Sequence, residues 1–128
     1  MSQSERPGDP RFHYELARLG DLHDQKQIDY GTDNDPFANV RGSQDWGIPP
    51  WVGAMVRAND KVKRLQNFAR KGSLANESAE DSFDDLAVYA MIGKVLYREA
   101  SGFDYETLIL DSSIGNFPEH VPGVITNG

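Results

Sequence analysis

The sequence predicts an all-α fold, a bundle of three main helices over about residues 11–29, 50–70 and 77–99 with a long ordered loop and an irregular C-terminal tail. Apolar residues recur at helical spacings of three and four in each of these segments, rather than alternating as in strands. Proline and glycine fall at the segment ends, where they start and stop helices. At 128 residues, the chain is long enough for one domain with a core of its own.

Met1 to Pro10 is polar, contains two of the first prolines and lacks an apolar run, so it reads as a disordered leader rather than a signal or an anchor. In helix one, Phe12, Leu16, Leu19 and Leu22 or His23 share a face, and Tyr30-Gly31 ends it. Residues 32–48 are dense in Gly, Pro, Asn and Asp, yet carry Phe37, Val40, Trp46 and Ile48, which predicts an ordered loop packed on the bundle. Pro49-Pro50 opens helix two. Its stripe of Trp51, Met55, Ala58, Val62, Leu65 and Ala69 runs to Arg70, before Lys71-Gly72.

Helix three starts near Ser78, which with Asp81 resembles a capping box. From Phe83 onward its apolar residues cover nearly the whole circumference, so it is expected at the centre of the bundle or at a subunit interface. Ser101-Gly102 ends it. Tyr105 to Asp111 alternates too weakly to choose strand from short helix. Residues 103–128 are therefore expected to form a C-terminal extension that docks on its own or a neighbouring subunit through Phe103, Leu108, Leu110, Ile114 and Phe117.

The net charge of −7 opposes direct binding to nucleic acids or anionic membranes. With no cysteine, disulfides, thiolate zinc sites and thiol nucleophiles are excluded together. No apolar run reaches the length of a membrane span, and a cytoplasmic protein is expected. His13, His23 and His120 show no ligand spacing, and no serine sits in a nucleophile motif.

One constellation carries chemistry. Glu77, Glu80, Asp81, Asp84 and Asp85 put five carboxylates into nine residues. At about 100° per residue, Glu77, Asp81, Asp84 and, slightly apart, Glu80 form one stripe that continues into Val88, Met91 and Val95. Held together near a bundle interior, such acids repel one another unless a cation neutralises them. Oxygen ligands select a hard ion, Mg²⁺ or Mn²⁺, and such an ion meets phosphates. The plainer alternative is a solvated cap, because acids in a first helical turn gain about 0.3–1 kcal/mol each from the macrodipole. A cap needs one or two acids rather than five.

Two further clusters lie nearby. Asp24, Lys26, Asp29 and Tyr30 close helix one and lead into Asp33, Asp35, Phe37, Asn39 and Arg41; alone they read as a charged terminus followed by turns. Arg57, Asp60, Lys61 and Arg64 are neighbours on helix two, ordinarily a solvated face. Turned toward helix three, they supply cations for phosphate oxygens.

Read in order, Lys26-Gln27-Ile28-Asp29-Tyr30-Gly31, Asp35-Pro36-Phe37-Ala38-Asn39-Val40, Ile48-Pro49-Pro50-Trp51, Arg57-Ala58-Asn59-Asp60-Lys61, Glu77-Ser78-Ala79-Glu80-Asp81 and Asp85-Leu86-Ala87-Val88-Tyr89 resemble the phage and bacterial family named nucleotide modification associated domain one. The resemblance spans about Phe12 to Glu99 and implies a role in nucleotide metabolism, in the host cytoplasm if the chain is phage-encoded. More distantly, the acidic helix is similar to the MazG-type all-α nucleoside triphosphate pyrophosphohydrolases, which hold Mg²⁺ with an E-x-x-E pair on one helix and an E-x-x-D pair on the next. Here both spacings fall on one helix, and helix two offers Asp60 among basic residues. Two alternatives follow: a metal site rebuilt from Asp60, Glu80, Asp84 and Asp29, or a chain that has lost hydrolysis and only binds a nucleotide.

The resemblance thus implies a Mg²⁺-dependent pyrophosphohydrolase acting on a deoxynucleoside triphosphate or derivative, and a homo-oligomer. Glu77, Glu80, Asp81 and Asp84 would hold the metal, with Glu80, Asp84 and Asp60 catalytic. Lys61, Arg64, Arg57 and Lys26 would hold phosphates, and Asp29, Tyr30, Asn39 and Trp46 the base. The rivals are a non-catalytic nucleotide-binding protein and a structural or interaction module whose acids are only a cap.

Overall fold

A computed structural model describes residues 6–30, 37–73 and 78–113, without the side chains of 28–30 and 111–113. The described residues are helical with no strand: α1 (Pro10–Tyr30), α2 (Ala38–Arg41), a 3₁₀ turn (Gly42–Trp46), α3 (Pro50–Lys71), α4 (Ala79–Ala100) and α5 (Tyr105–Ser113). The predicted all-α bundle is what is observed.

Local chemistry explains the boundaries. The Asp9 side chain accepts from the Arg11 backbone N–H at 2.7 Å and its carbonyl from Phe12 at 3.1 Å, so the orphan donors of the first turn of α1 are satisfied. Pro50 opens α3, and Gly72 closes it in the left-handed region at φ 76°, donating to the Phe68 carbonyl. Ser78 Oγ caps α4 by accepting from the Asp81 N–H at 3.0 Å. One stretch expected as an ordered loop carries short helical turns instead, and one left open between strand and short helix is a helix. Residues 38–46 form α2 and the 3₁₀ turn, ended by Gly47 at φ 74°, and Tyr105–Ser113 forms α5. Asp104 starts α5 by accepting from the Thr107 N–H at 3.0 Å, an Asp cap three residues ahead of its donor.

The bundle is built on α3 and α4, which run antiparallel. Gly93 of α4 faces Ala54, and Lys61, two turns further along α3, reaches back to Asp85. The seam is made of small residues: Ala54, Ala58, Ser82 and Gly93 are all buried, which lets the two backbones approach closely. Leu96 and Val40 complete the core, with Phe37, Trp51, Tyr89 and Ile92 packed around it. The α2 and 3₁₀ segment lies on the start of α3 at Gly53, where a Cβ would stand 2.9 Å from the Val40 carbonyl oxygen. Arg41 then clamps Glu99 near the end of α4 with two guanidinium hydrogen bonds, at 2.6 and 3.1 Å.

The α1 helix is attached differently. Arg18 reaches Asp84 and Lys26 reaches Asp85, so residues two turns apart on α1 meet adjacent residues of α4. These two ion pairs tie α1 to the first half of α4. None of its described side chains is fully buried, and Phe12 and Tyr14 are exposed. The apolar circumference predicted for α4 is covered by α3 on one side and by α1 on another, while Phe83, Met91 and Tyr97 stay exposed.

Candidate functional site

Cavities open along the contact between α1 and α4. An open groove of about 710 Å³ is lined by Tyr14, Glu15 and Arg18 of α1 and by Glu80, Asp81, Phe83 and Asp84 of α4. A smaller pocket of about 120 Å³ is lined by His23, Lys26, Phe37, Asn39, Asp85 and Tyr89, among others.

The acidic run is thereby divided between two environments. The helical turn carries Asp84 toward α1, where Arg18 bonds it while also donating to Glu15 at 2.8 Å. The Asp84 bond first, and Glu15 second, hold the Arg18 guanidinium above its already high ordinary pKa, so it stays charged at any working pH. Asp85, one residue on, is swung about 100° toward α3. Each of its carboxylate oxygens takes one ammonium: Lys26 of α1 at 3.5 Å and Lys61 of α3 at 3.1 Å. Asp85 and Lys61 are mostly buried, with side chains 23% and 19% exposed, so this interaction is less screened than a surface pair. Two lysines from different helices thus meet on one carboxylate.

The residues singled out in the sequence therefore separate into groups. Lys26, Asn39 and Lys61 are brought together around Asp85. Glu80, Asp81 and Asp84 line the open groove, but among the described residues no group of three or more acids and histidines converges as a metal cluster would. Arg57 and Asp60 are exposed on α3, and Arg64, half-buried, makes an interaction of its own. Trp46 stands 85% exposed on the 3₁₀ turn and lines neither cavity. Glu77, the side chains of Asp29 and Tyr30, and Asp33, Asp35 and His120 lie outside the described residues.

Three contributors were not singled out in the sequence as site residues. Asp85 sits off the Asp81–Asp84 stripe, so a search for one aligned carboxylate face passes over it. Arg18 looks like any solvated arginine on helix one until α4 is placed beside it. Tyr89 is one of many apolar positions of α4, and only the pocket distinguishes it. His23 shows no ligand spacing in the sequence; its ring lies 6.2 Å from Phe37, and both line the small pocket.

Among the described residues no helix is long and apolar enough to cross a membrane. No family model, curated protein or solved structure matches the chain.

Proposed function

We propose that this protein binds a nucleotide in the cleft between α1, α2 and α4, as a component of nucleotide metabolism. The observation that carries this reading is the convergence of Lys26 and Lys61, from two different helices, on Asp85 beside Asn39 and Tyr89. Lys26 lines this cleft, and its ammonium group is a point charge that can pair with a phosphate oxygen. Phe37, Tyr89 and His23 supply ring faces, and Asn39 supplies both a donor and an acceptor. The motif resemblance to the nucleotide modification associated family supports the same class of ligand.

A second reading, Mg²⁺- or Mn²⁺-dependent pyrophosphohydrolysis, is favoured by Glu80, Asp81 and Asp84 lining one groove large enough for a substrate. A divalent ion there requires Glu77 to complete the ligand set and Arg18 to release Asp84. Self-association belongs to the proposal as well, supported by exposed Phe83 and Leu110, which a monomer leaves in water.

Thermal shift and calorimetric titration with a panel of deoxynucleoside triphosphates, with and without Mg²⁺, test the reading. Binding without metal, weakened about tenfold or more in Lys26→Gln, is expected. No binding to any nucleotide overturns it. Release of pyrophosphate on adding Mg²⁺ or Mn²⁺, abolished in Asp84→Asn, would promote the second reading over the first.

A further inference from the structure

Gly20 stands in the middle of α1, where glycine weakens a helix relative to alanine. Close approach of a neighbour accounts for such a residue at Gly53 and Gly93, where an added Cβ would stand 2.8 and 2.7 Å from the nearest atom. At Gly20 a Cβ would meet nothing within 4 Å. Gly20 instead lines a cavity of about 280 Å³, walled by Leu16 and Leu19 of α1 and by Val88, Met91 and Val95 of α4, so the absent side chain leaves space at its wall. No charged side chain lines this cavity, and His23 is its one conventional hydrogen-bonding side chain. Among the described residues the His23 ring contacts Phe37 and makes no hydrogen bond.

These walls restrict what the cavity can hold. An ion entering it would lose hydration with no charged partner to replace it, so the occupant is neutral. An apolar cavity of about 150 Å³ accepts benzene, and 280 Å³ is nearly twice that, the space of a two-ring molecule. The Phe37 ring and the Met91 thioether both pack favourably on aromatic faces. A hydroxyl both donates and accepts, so it pairs with His23 whichever ring nitrogen carries the proton. We propose that this cavity binds a neutral two-ring aromatic alcohol, its rings along Leu16, Val88, Met91 and Val95 and its hydroxyl on His23. The cavity shares His23, Phe37, Val88 and Ile92 with the nucleotide cleft but is lined by none of Lys26, Asn39 and Asp85, so it stands independently of the nucleotide reading.

Fluorescence titration of the full chain at neutral pH compares 2-naphthol with naphthalene, which lacks the hydroxyl, and with 2-naphthoate, which is charged. On the unaltered chain 2-naphthol is expected to bind about three- to tenfold tighter than naphthalene, the span of one net hydrogen bond, and about tenfold or more tighter than 2-naphthoate. His23→Leu should bring 2-naphthol down to the naphthalene level and leave naphthalene itself unchanged, a pattern that an unfolded variant cannot give. Gly20→Leu fills the wall and removes a helix-weakening glycine, so it should weaken both neutral ligands about tenfold or more with the melting temperature equal or higher. Lys26→Gln should leave 2-naphthol binding as it is, which separates failure of this proposal from failure of the nucleotide reading. No binding of 2-naphthol, tighter binding of 2-naphthoate, or full 2-naphthol binding by Gly20→Leu overturns the proposal. An oligomer that ignores 2-naphthol and dissociates in Gly20→Leu assigns the cavity to a second copy and overturns it as well.

Discussion

The two faces of α4 teach different things about how this chain uses its residues. Toward α3, Gly93 faces Ala54, and Ser82, Leu96 and Ala58 are buried with them in a nearly solvent-free seam. Toward α1 it presents Asp84, Val88 and Met91, with Asp85 between the two faces, and α1 is held there by two ion pairs with cavities along the contact. Apolar burial stabilises in proportion to area, whereas partly exposed ion pairs contribute about 0–1 kcal/mol each. The seam is therefore the scaffold. The α1–α4 contact is the place where a ligand can be admitted without dismantling the core.

Substitutions on the two faces should separate accordingly. Leu96→Ala, at a side chain 2% exposed, deletes core volume and is expected to cost about 2–5 kcal/mol, measured by urea unfolding. A loss under about 1 kcal/mol would mean that the seam is not the scaffold. Gly53→Ala comes next, because its Cβ would press on the Val40 carbonyl oxygen at 2.9 Å and the Ser43 Cβ at 2.9 Å, and backbone does not rotate away. Overpacking of this kind costs about 1–3 kcal/mol. A midpoint equal to wild type would show the α2 segment to be mobile on α3.

The Arg41–Glu99 clamp gives a smaller and pH-dependent effect. Hydrogen bonding from Arg41 holds the Glu99 carboxyl below its ordinary value. A depressed folded-state pKa contributes stability that is complete above the unfolded value, near 4.5, and is lost as pH falls through the folded one. Glu99→Gln should therefore lower the melting temperature slightly at pH 7, where the clamp contributes in full, and flatten its fall below about pH 4.5 so that the two proteins converge in acid; a parallel pH profile would contradict the clamp. Ser82→Ala should have the smallest effect. Its hydroxyl is buried with no hydrogen-bond partner among the described residues, so removing it is expected to leave the melting temperature equal or slightly higher. A clear drop would reveal a partner for that hydroxyl.

The same contrast explains what was legible in the sequence. The long helices were, because their stripes persist over several turns and proline or glycine marks their ends. The helix at Tyr105–Ser113 was not, since nine residues give too few periods to separate a helix from a strand. The 3₁₀ turn was hidden by the Gly and Asp density that makes it possible. Within the site, Lys26, Asn39 and Lys61 were legible from charge and motif. Asp85 and Arg18 acquire meaning only from the placement of α1 and α3 against α4, a tertiary relation that no single helix's periodicity encodes. The acidic stripe itself illustrates the point: adjacent aspartates in sequence are answered by arginine on one side and by two lysines on the other.

The central claim is that the α1–α4 contact, and not the α3–α4 seam, is where the ligand sits. Amide hydrogen exchange with and without a saturating nucleotide tests it most directly. The account predicts added protection in α1 around His23–Gln27 and in α4 around Asp85–Ile92, with Pro50–Ala58 of α3 unchanged. Protection confined to α3, or to the exposed turn at Trp46, would contradict it.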